Sequence, residues 1–187
     1  TTNYTSTNFK IGQYYSTGYG MEGYISNFKM CLNAIYTSNF TPPTALVTPT
    51  SGGSSAASTK ILVNFTNAAI IDSSRKTNAL TVGNAQLDTS VKKFGTASAE
   101  FDGTSDSLKL VNVVPIGYNP FTIEFFFRSN TTSLDTYYRR LYKMASVTGQ
   151  SNEWAEICIN HSSGSYGSGN NIFVYVPDTN GRIIGTA

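Results

Sequence analysis

"GYISNFKMCLNAIYTSNFTPPTA", from Gly23 to Ala45, decides how the rest of the chain is read. It opens as a strand, with Ile25, Phe28, Met30 and Leu32 in positions that suit an apolar face. Ile25 and Phe28 are three apart, whereas side chains on one face of a strand recur every two residues. One extra residue at Ser26-Asn27 restores the alternation, so a β-bulge is expected there. The strand is expected to end near Asn33. "NAIYTSNF" (Asn33 to Phe40) is too short for a helix and is read as a single turn at most. Pro42 and Pro43 then stop further sheet pairing. The stretch has the form of an ending, yet most of the chain follows it.

Working outward, the periodicity stays close to two. Phe121, Ile123, Phe125 and Phe127 share one face of "FTIEFFFRS"; Thr122, Glu124 and Arg128 take the other, and Phe126 breaks the pattern. Ala155, Ile157 and Ile159 alternate in the same way, as do Ile172, Val174 and Val176, and Leu108 with Leu110. "KILVNF" (Lys60 to Phe65) is a continuous apolar burst, which suits a strand covered on both faces. Between these runs lie Gly, Ser, Asn and Asp clusters, the residues that close turns. The longest such loop is Asn160 to Asn171. No run of ten residues has helical spacing. The expected class is all-β, an antiparallel sandwich.

Composition bounds the partners. The chain has 187 residues, of which 40% are hydrophobic and 13% charged, with a net charge of +2. The charged share is about half the usual one, and Ser, Thr and Asn fill roughly a third of the chain. So small a net charge gives no electrostatic claim on nucleic acid or an anionic membrane. No apolar run approaches the roughly 20 residues of a membrane helix. Cys31 and Cys158 show no metal or redox spacing; two half-buried free thiols are expected ahead of a disulfide between them. Asn-x-Ser/Thr triplets at Asn3, Asn39, Asn64, Asn130 and Asn160 carry little weight in so Asn-rich a chain. With no initiator Met at Thr1, the chain reads as an internal piece of a longer protein.

"TPPTALVTPTSGGSSAASTK" brings three prolines and a Gly-Gly-Ser-Ser run, stiff first and flexible second. A boundary is therefore expected over residues 46–59. On either side of it the residues resemble one family. Gly23, Tyr24, Ile25, Phe28, Tyr36, Thr37, Asn39, Phe40, Thr41, Pro42 and Pro43 match the closing segment of laminin G-like, concanavalin A-like jelly-roll domains. The variant is the one found in bacteriophage tail and virion proteins. Ser26 and Asn27 stand where that variant carries two acidic residues. Leu62, Phe65, Asp72-Ser73-Ser74, Lys93-Phe94-Gly95, Ser98, Phe101-Asp102-Gly103, Ser107 and Leu108 resemble the family's opening, and "FTIEFFFRS" its central strand. The resemblance implies parts of two tandem copies: residues 1–45 close a first domain, 46–59 link, and 60–187 begin a second. A single circularly permuted domain is the rival arrangement.

The resemblance implies function as well. It points to a non-catalytic binding module that presents lectin-like sandwiches to a host-surface carbohydrate, placed on a phage tail or capsid exterior, or otherwise extracellular. Other virion subunits and copies of the chain itself are the implied partners, with a trimer as the usual fibre state. A structural decoration or spacer role and a bacterial adhesin are the alternatives. Side chains suited to sugars are the aromatic Trp154, Tyr138 and Tyr166 and the guanidinium of Arg139. Relatives that bind calcium through loop oxygens direct attention to Asp102 and Asp106, with Asn84 nearby. Against that, Asp102-Gly103 also reads as a plain turn. A glycosidase needs two carboxylates about 5–9 Å apart. Glu153 and Glu156 are three apart on a strand and point to opposite faces. His161 has no identifiable triad partner. No catalysis is expected.

Overall fold

The computed structural model describes residues 7–13, 20–66, 68–130, 138–145, 155–160 and 171–175. The described chain is all-β, with two antiparallel sheets. The first sheet runs β12 (Asn171–Tyr175), β11 (Ala155–Asn160), β10 (Tyr138–Ala145), β1 (Asn8–Ile11), β8 (Ser107–Leu110), β5 (Leu80–Gly83). The second runs β4 (Ile70–Asp72), β3 (Thr59–Phe65), β2 (Glu22–Cys31), β7 (Ser98–Asp102), β6 (Gln86–Asp88), with β9 (Thr122–Ser129) also paired to β2. The only helical turn among the described residues is a three-residue 3-10 turn, Ser51–Gly53. Residues 33–40 form bends rather than the single turn expected there.

β2 organises the second sheet. Along one edge it pairs with β9 from Gly23 to Cys31. Along the other it pairs first with β7, over Glu22–Ile25, and then with β3, over Phe28–Cys31. The expected bulge lies at the junction. Ser26 is opposite Phe126 and Lys29 opposite Glu124, so β2 carries one residue more than β9 in that interval. Asn27 takes φ 57° to absorb it, a conformation that Asn tolerates better than most residues. The consequence is the one the alternation demands: Ile25, Phe28 and Met30 are all fully buried on the inner face.

The two sheets share one apolar core. Ile25, Phe28, Met30, Ile61, Val63, Phe65 and Phe101 come from the second sheet; Phe9, Ile11, Leu108, Leu110, Tyr142 and Met144 come from the first. Phe28 meets Tyr142 across the gap, with ring centroids 5.6 Å apart. β3 is covered on both faces as read, since Ile61, Leu62 and Val63 are all buried. The thiols of Cys31 and Cys158 are free and both fully buried, deeper than expected.

Strands from both sides of residues 46–59 share the two sheets. β1 and β2, from the first segment, are interior strands of sheets whose other strands begin at Thr59 or later. Pairing across such distances leaves no mark in composition. Nor is the Gly-Gly-Ser-Ser stretch a loose spacer. It crosses the outer face of the second sheet, where Lys29 Nζ donates to Ser51 O at 2.8 Å and to Ser54 Oγ at 2.7 Å. Asn64 Nδ2 donates to Val47 O at 3.1 Å, and Thr59 Oγ1 to Pro49 O at 2.6 Å. Asp72 fastens the next turn, accepting from Leu62 N, Ser74 N and Ser74 Oγ, and Asn78 N and Nδ2.

Candidate functional site

The cross-strand register sets side chains in rows on the outer face of the second sheet. Arg128, Tyr24, Glu100 and Gln86 lie opposite one another across β9, β2, β7 and β6. Phe126 and Ser26 form the neighbouring pair. The bulge at Asn27 directly follows them, and bulges are found where side chains must be re-aimed. Tyr24 OH donates to Glu100 Oε1 at 3.2 Å, which fixes the ring's outer end. Phe126, the residue that broke the alternation of its strand, meets the edge of Phe94 at 5.2 Å and 82°.

The loop after β6 forms the facing wall. Asp88 Oδ1 accepts from Ser90 N at 2.5 Å and Val91 N at 2.9 Å. Those two backbone donors hold its carboxyl below the ordinary aspartate range. Ser98 Oγ donates to Val91 O from β7, tying the loop down. Between this wall and the sheet lies a cleft of about 350 Å³, within the size range of small-ligand sites. Tyr24, Phe126 and Phe127 supply its apolar surface and Ser26 and Ser90 its hydroxyls; Lys92, Lys93 and Arg128 bring charge. Among the described residues no carboxylate lines it.

A second cleft, about 420 Å³, runs beside β9 below Tyr36, Phe40 and Pro42 and reaches Leu141 and Ile157 of the other sheet. It is the apolar seam between the sheets. Its one charged lining group, Glu124, is engaged: Tyr36 OH donates to Oε2 at 2.6 Å and Lys29 Nζ lies 3.2 Å from Oε1. Tyr36 stacks on Phe40, centroids 3.8 Å apart. The Tyr36 phenol is raised above its ordinary pKa by burial and by its bond to Glu124. With so little polar surface left to recognise hydroxyls, this seam suits packing rather than sugar.

Comparison of the chain with protein-family models, curated proteins and solved structures returns no match.

Of the residues singled out from the sequence, Arg139, Asp102 and Asp106 do not line the cleft. Trp154 and Tyr166 lie outside the described residues. Tyr138 opens β10, its backbone opposite Asn160. Arg139 serves the fold: Nη1 donates to Gly20 O at 3.2 Å and Gly103 O at 3.3 Å, joining two turns. Asp106 is buried with both oxygens in use, one accepting from Asn84 Nδ2 at 2.9 Å and the other from Asp102 N at 2.8 Å. Asp102 Oδ1 accepts from Thr104 N at 2.7 Å. The bond from Thr104 N to Asp102 fits the turn reading of Asp102-Gly103. Among the described residues no group of three or more His, Cys, Asp or Glu could hold a metal. Glu156 is paired with Arg140 at 3.2 Å, and Glu153 and His161 lie outside the described residues.

Sequence reading passed over the cleft because its parts are far apart in the chain. Tyr24 and Lys93 belonged to separate motifs, Phe126 was an irregularity, and Lys92 belonged to no motif. Only the register Ser26–Phe126 and Tyr24–Arg128 joins them.

The opposite outer face carries a different charge pattern. Lys109, Lys10 and Lys143 are successive register partners on β8, β1 and β10, with Glu156 next on β11. Lys143 is buried, and burial lowers its ammonium to about 8; Glu156 opposes the shift, and Arg140 and Lys10 add to it. Between about pH 8 and the unfolded lysine value near 10.4, the unfolded chain holds the proton and the folded chain does not. Stability from this group therefore rises with pH across that window. The raised thiols of Cys31 and of Cys158, the latter at about 12, act with the opposite sign. Lys143→Met cancels the lysine contribution alone. Its urea midpoint is expected to exceed the wild-type one at pH 7.5, with the gap narrowing by pH 10; a constant gap would contradict the shift.

Proposed function

We propose that this chain is a non-catalytic saccharide-binding module, built on a concanavalin A-like jelly roll of the laminin G-like kind. The observation that carries the reading is the cleft between β2, β9 and the loop at residues 90–93. It offers aromatic rings for sugar faces and hydroxyls for sugar hydroxyls, while its walls are held by the sheet register and by Asp88. Aromatic rings with a few placed polar groups are what a small polar ligand needs. The motif resemblance supports a place on a phage tail or capsid exterior, with a host-surface glycan as the target. It also supports copies of the chain and other virion subunits as neighbours.

A glycan array probed with wild type and with Phe126→Ala tests it. Wild type is expected to retain a defined set of glycans, and Phe126→Ala to lose about tenfold in affinity for that set, the order of an aromatic stacking contact. Absence of binding to every glycan would sink the proposal. A decoration or spacer role is the second reading. Phe40 favours it, being 53% exposed at the mouth of the apolar seam, where a neighbouring subunit would cover it.

A further inference from the structure

We infer that the cleft selects acidic saccharides, those bearing carboxylate or sulfate groups, over neutral ones; this rests on the saccharide-binding reading above. The argument is the charge of the lining. Among the described residues, Lys92, Lys93 and Arg128 line the cleft and no Asp or Glu does. All three are exposed, so their charge is presented at the opening. The chain as a whole carries 13 Lys and Arg against 11 Asp and Glu. A lining with three cations and no acid among the described residues is therefore a local departure from a nearly balanced composition.

The nearby acids are fewer than the cations and already engaged: Asp88, at the base of the loop, accepts from Val91 N and Ser90 N and feels the Lys92 charge. Glu100, the nearest acid in the register, stands one strand away and accepts from Tyr24 OH. Lys92 Nζ donates to a carbonyl, Thr89 O, at 2.5 Å, which orients the ammonium without neutralising it. Lys93 Nζ lies 5.8 Å from the Phe94 ring centre, and Phe94 in turn supports Phe126. The apolar surface is thus coupled to the cationic rim. An anion alone would use the rim and waste the rings; a neutral sugar would use the rings and leave the rim idle. A sugar ring with an acidic substituent engages both, through charge-assisted hydrogen bonds that are stronger than neutral ones. Arg128 presents a planar fork that matches a carboxylate or sulfate.

Isothermal titration of the intact chain tests this with four probes at moderate salt. Two are acidic, a hyaluronan hexasaccharide and an α2,8-linked sialic acid hexamer; two are neutral, chitohexaose and cellohexaose. At least one acidic probe is expected to bind roughly tenfold tighter than both neutral ones. Lys92→Ala/Lys93→Ala and Arg128→Ala are each expected to remove about tenfold from that affinity. Arg75→Ala/Lys76→Ala removes as much charge as the double variant from exposed positions outside the cleft. It is expected to change nothing, and thermal melts confirm that each variant folds. Equal affinity for neutral and acidic probes, unmoved by the cleft variants, overturns the acidic preference and leaves saccharide binding standing. Binding to none of the four overturns both. Displacement of the acidic probe by equimolar inorganic sulfate, or tighter binding of an oligothymidylate, overturns the inference in favour of a bare anion or a nucleic acid.

Discussion

Lys29→Ala is expected to lower the unfolding free energy by about 3–5 kcal/mol, the cost of removing one partner of a buried ion pair. Lys29 is fully buried on the outer face of the central strand. All of its ammonium donors have a purpose: Ser51 O at 2.8 Å, Ser54 Oγ at 2.7 Å and Glu124 Oε1 at 3.2 Å. The contact to Glu124 is an ion pair without an aligned hydrogen bond, since Oε1 accepts none. Truncation would strand the Glu124 carboxylate at 12% exposure with only the Tyr36 hydroxyl to meet it. It would also release the crossing segment at Ser51 and Ser54. Lys29→Met/Glu124→Leu separates the two effects. Removing both charges together is expected to recover much of the loss, because an apolar pair of similar volume often replaces a buried ion pair at little cost. Urea unfolding of the single and double variants decides. A Lys29→Ala loss below about 1 kcal/mol, the range of an exposed pair, would mean that the ammonium is hydrated and the clamp unimportant.

The same residue marks the limit of what the sequence discloses. Alternation placed Phe28 and Met30 inward, and the three-residue step from Ile25 located the bulge at Ser26-Asn27. Such local rules work because a strand's faces are fixed by the backbone. By that rule Lys29 and Glu124 read as solvent-facing, and they do point away from the core. Glu124 is met by Tyr36, and what covers Lys29 is the stretch from Val47 to Ser54, whose composition reads as a spacer. A spacer and a strap have the same residues; they differ in long-range contacts that composition does not encode. The pairing of β2 with β3 and β9 escapes a linear reading for the same reason. Composition marked a boundary at the proline-rich stretch, and the strands on either side of it pair within the same two sheets. The cleft lies beyond local rules too, since it needs β2, β9 and the loop at residues 90–93 together. Asp102 and Asp106 show the converse. The resemblance directs attention to them as oxygen donors, and the fold engages three of their four oxygens with Asn84 Nδ2, Asp102 N and Thr104 N.

Gly23→Ala is expected to destabilise the chain by about 3 kcal/mol or more, combining an adverse backbone conformation with overpacking. Gly23 begins the stretch on which the fold was read, and it sits at φ 140°. It pairs on both edges, with Phe101 of β7 and Ser129 of β9. A methyl group there would lie 2.1 Å from Arg128 O and 3.0 Å from Arg128 C and Ser129 Cα. Those are backbone atoms of a paired strand and have no rotamer by which to yield. β9 would have to move away from β2, and the next register pair along is Tyr24 with Arg128, which both line the cleft. Two readouts should therefore fall together: the urea midpoint, and saccharide affinity measured at a temperature where the variant still folds. Phe126→Ala serves as the contrast, with affinity reduced and the midpoint nearly kept, because Phe126 faces outward and leaves the backbone free to stay in place. A Gly23→Ala midpoint equal to wild type would show that β2 and β9 do not approach so closely, and the cleft built on their register would lose its floor.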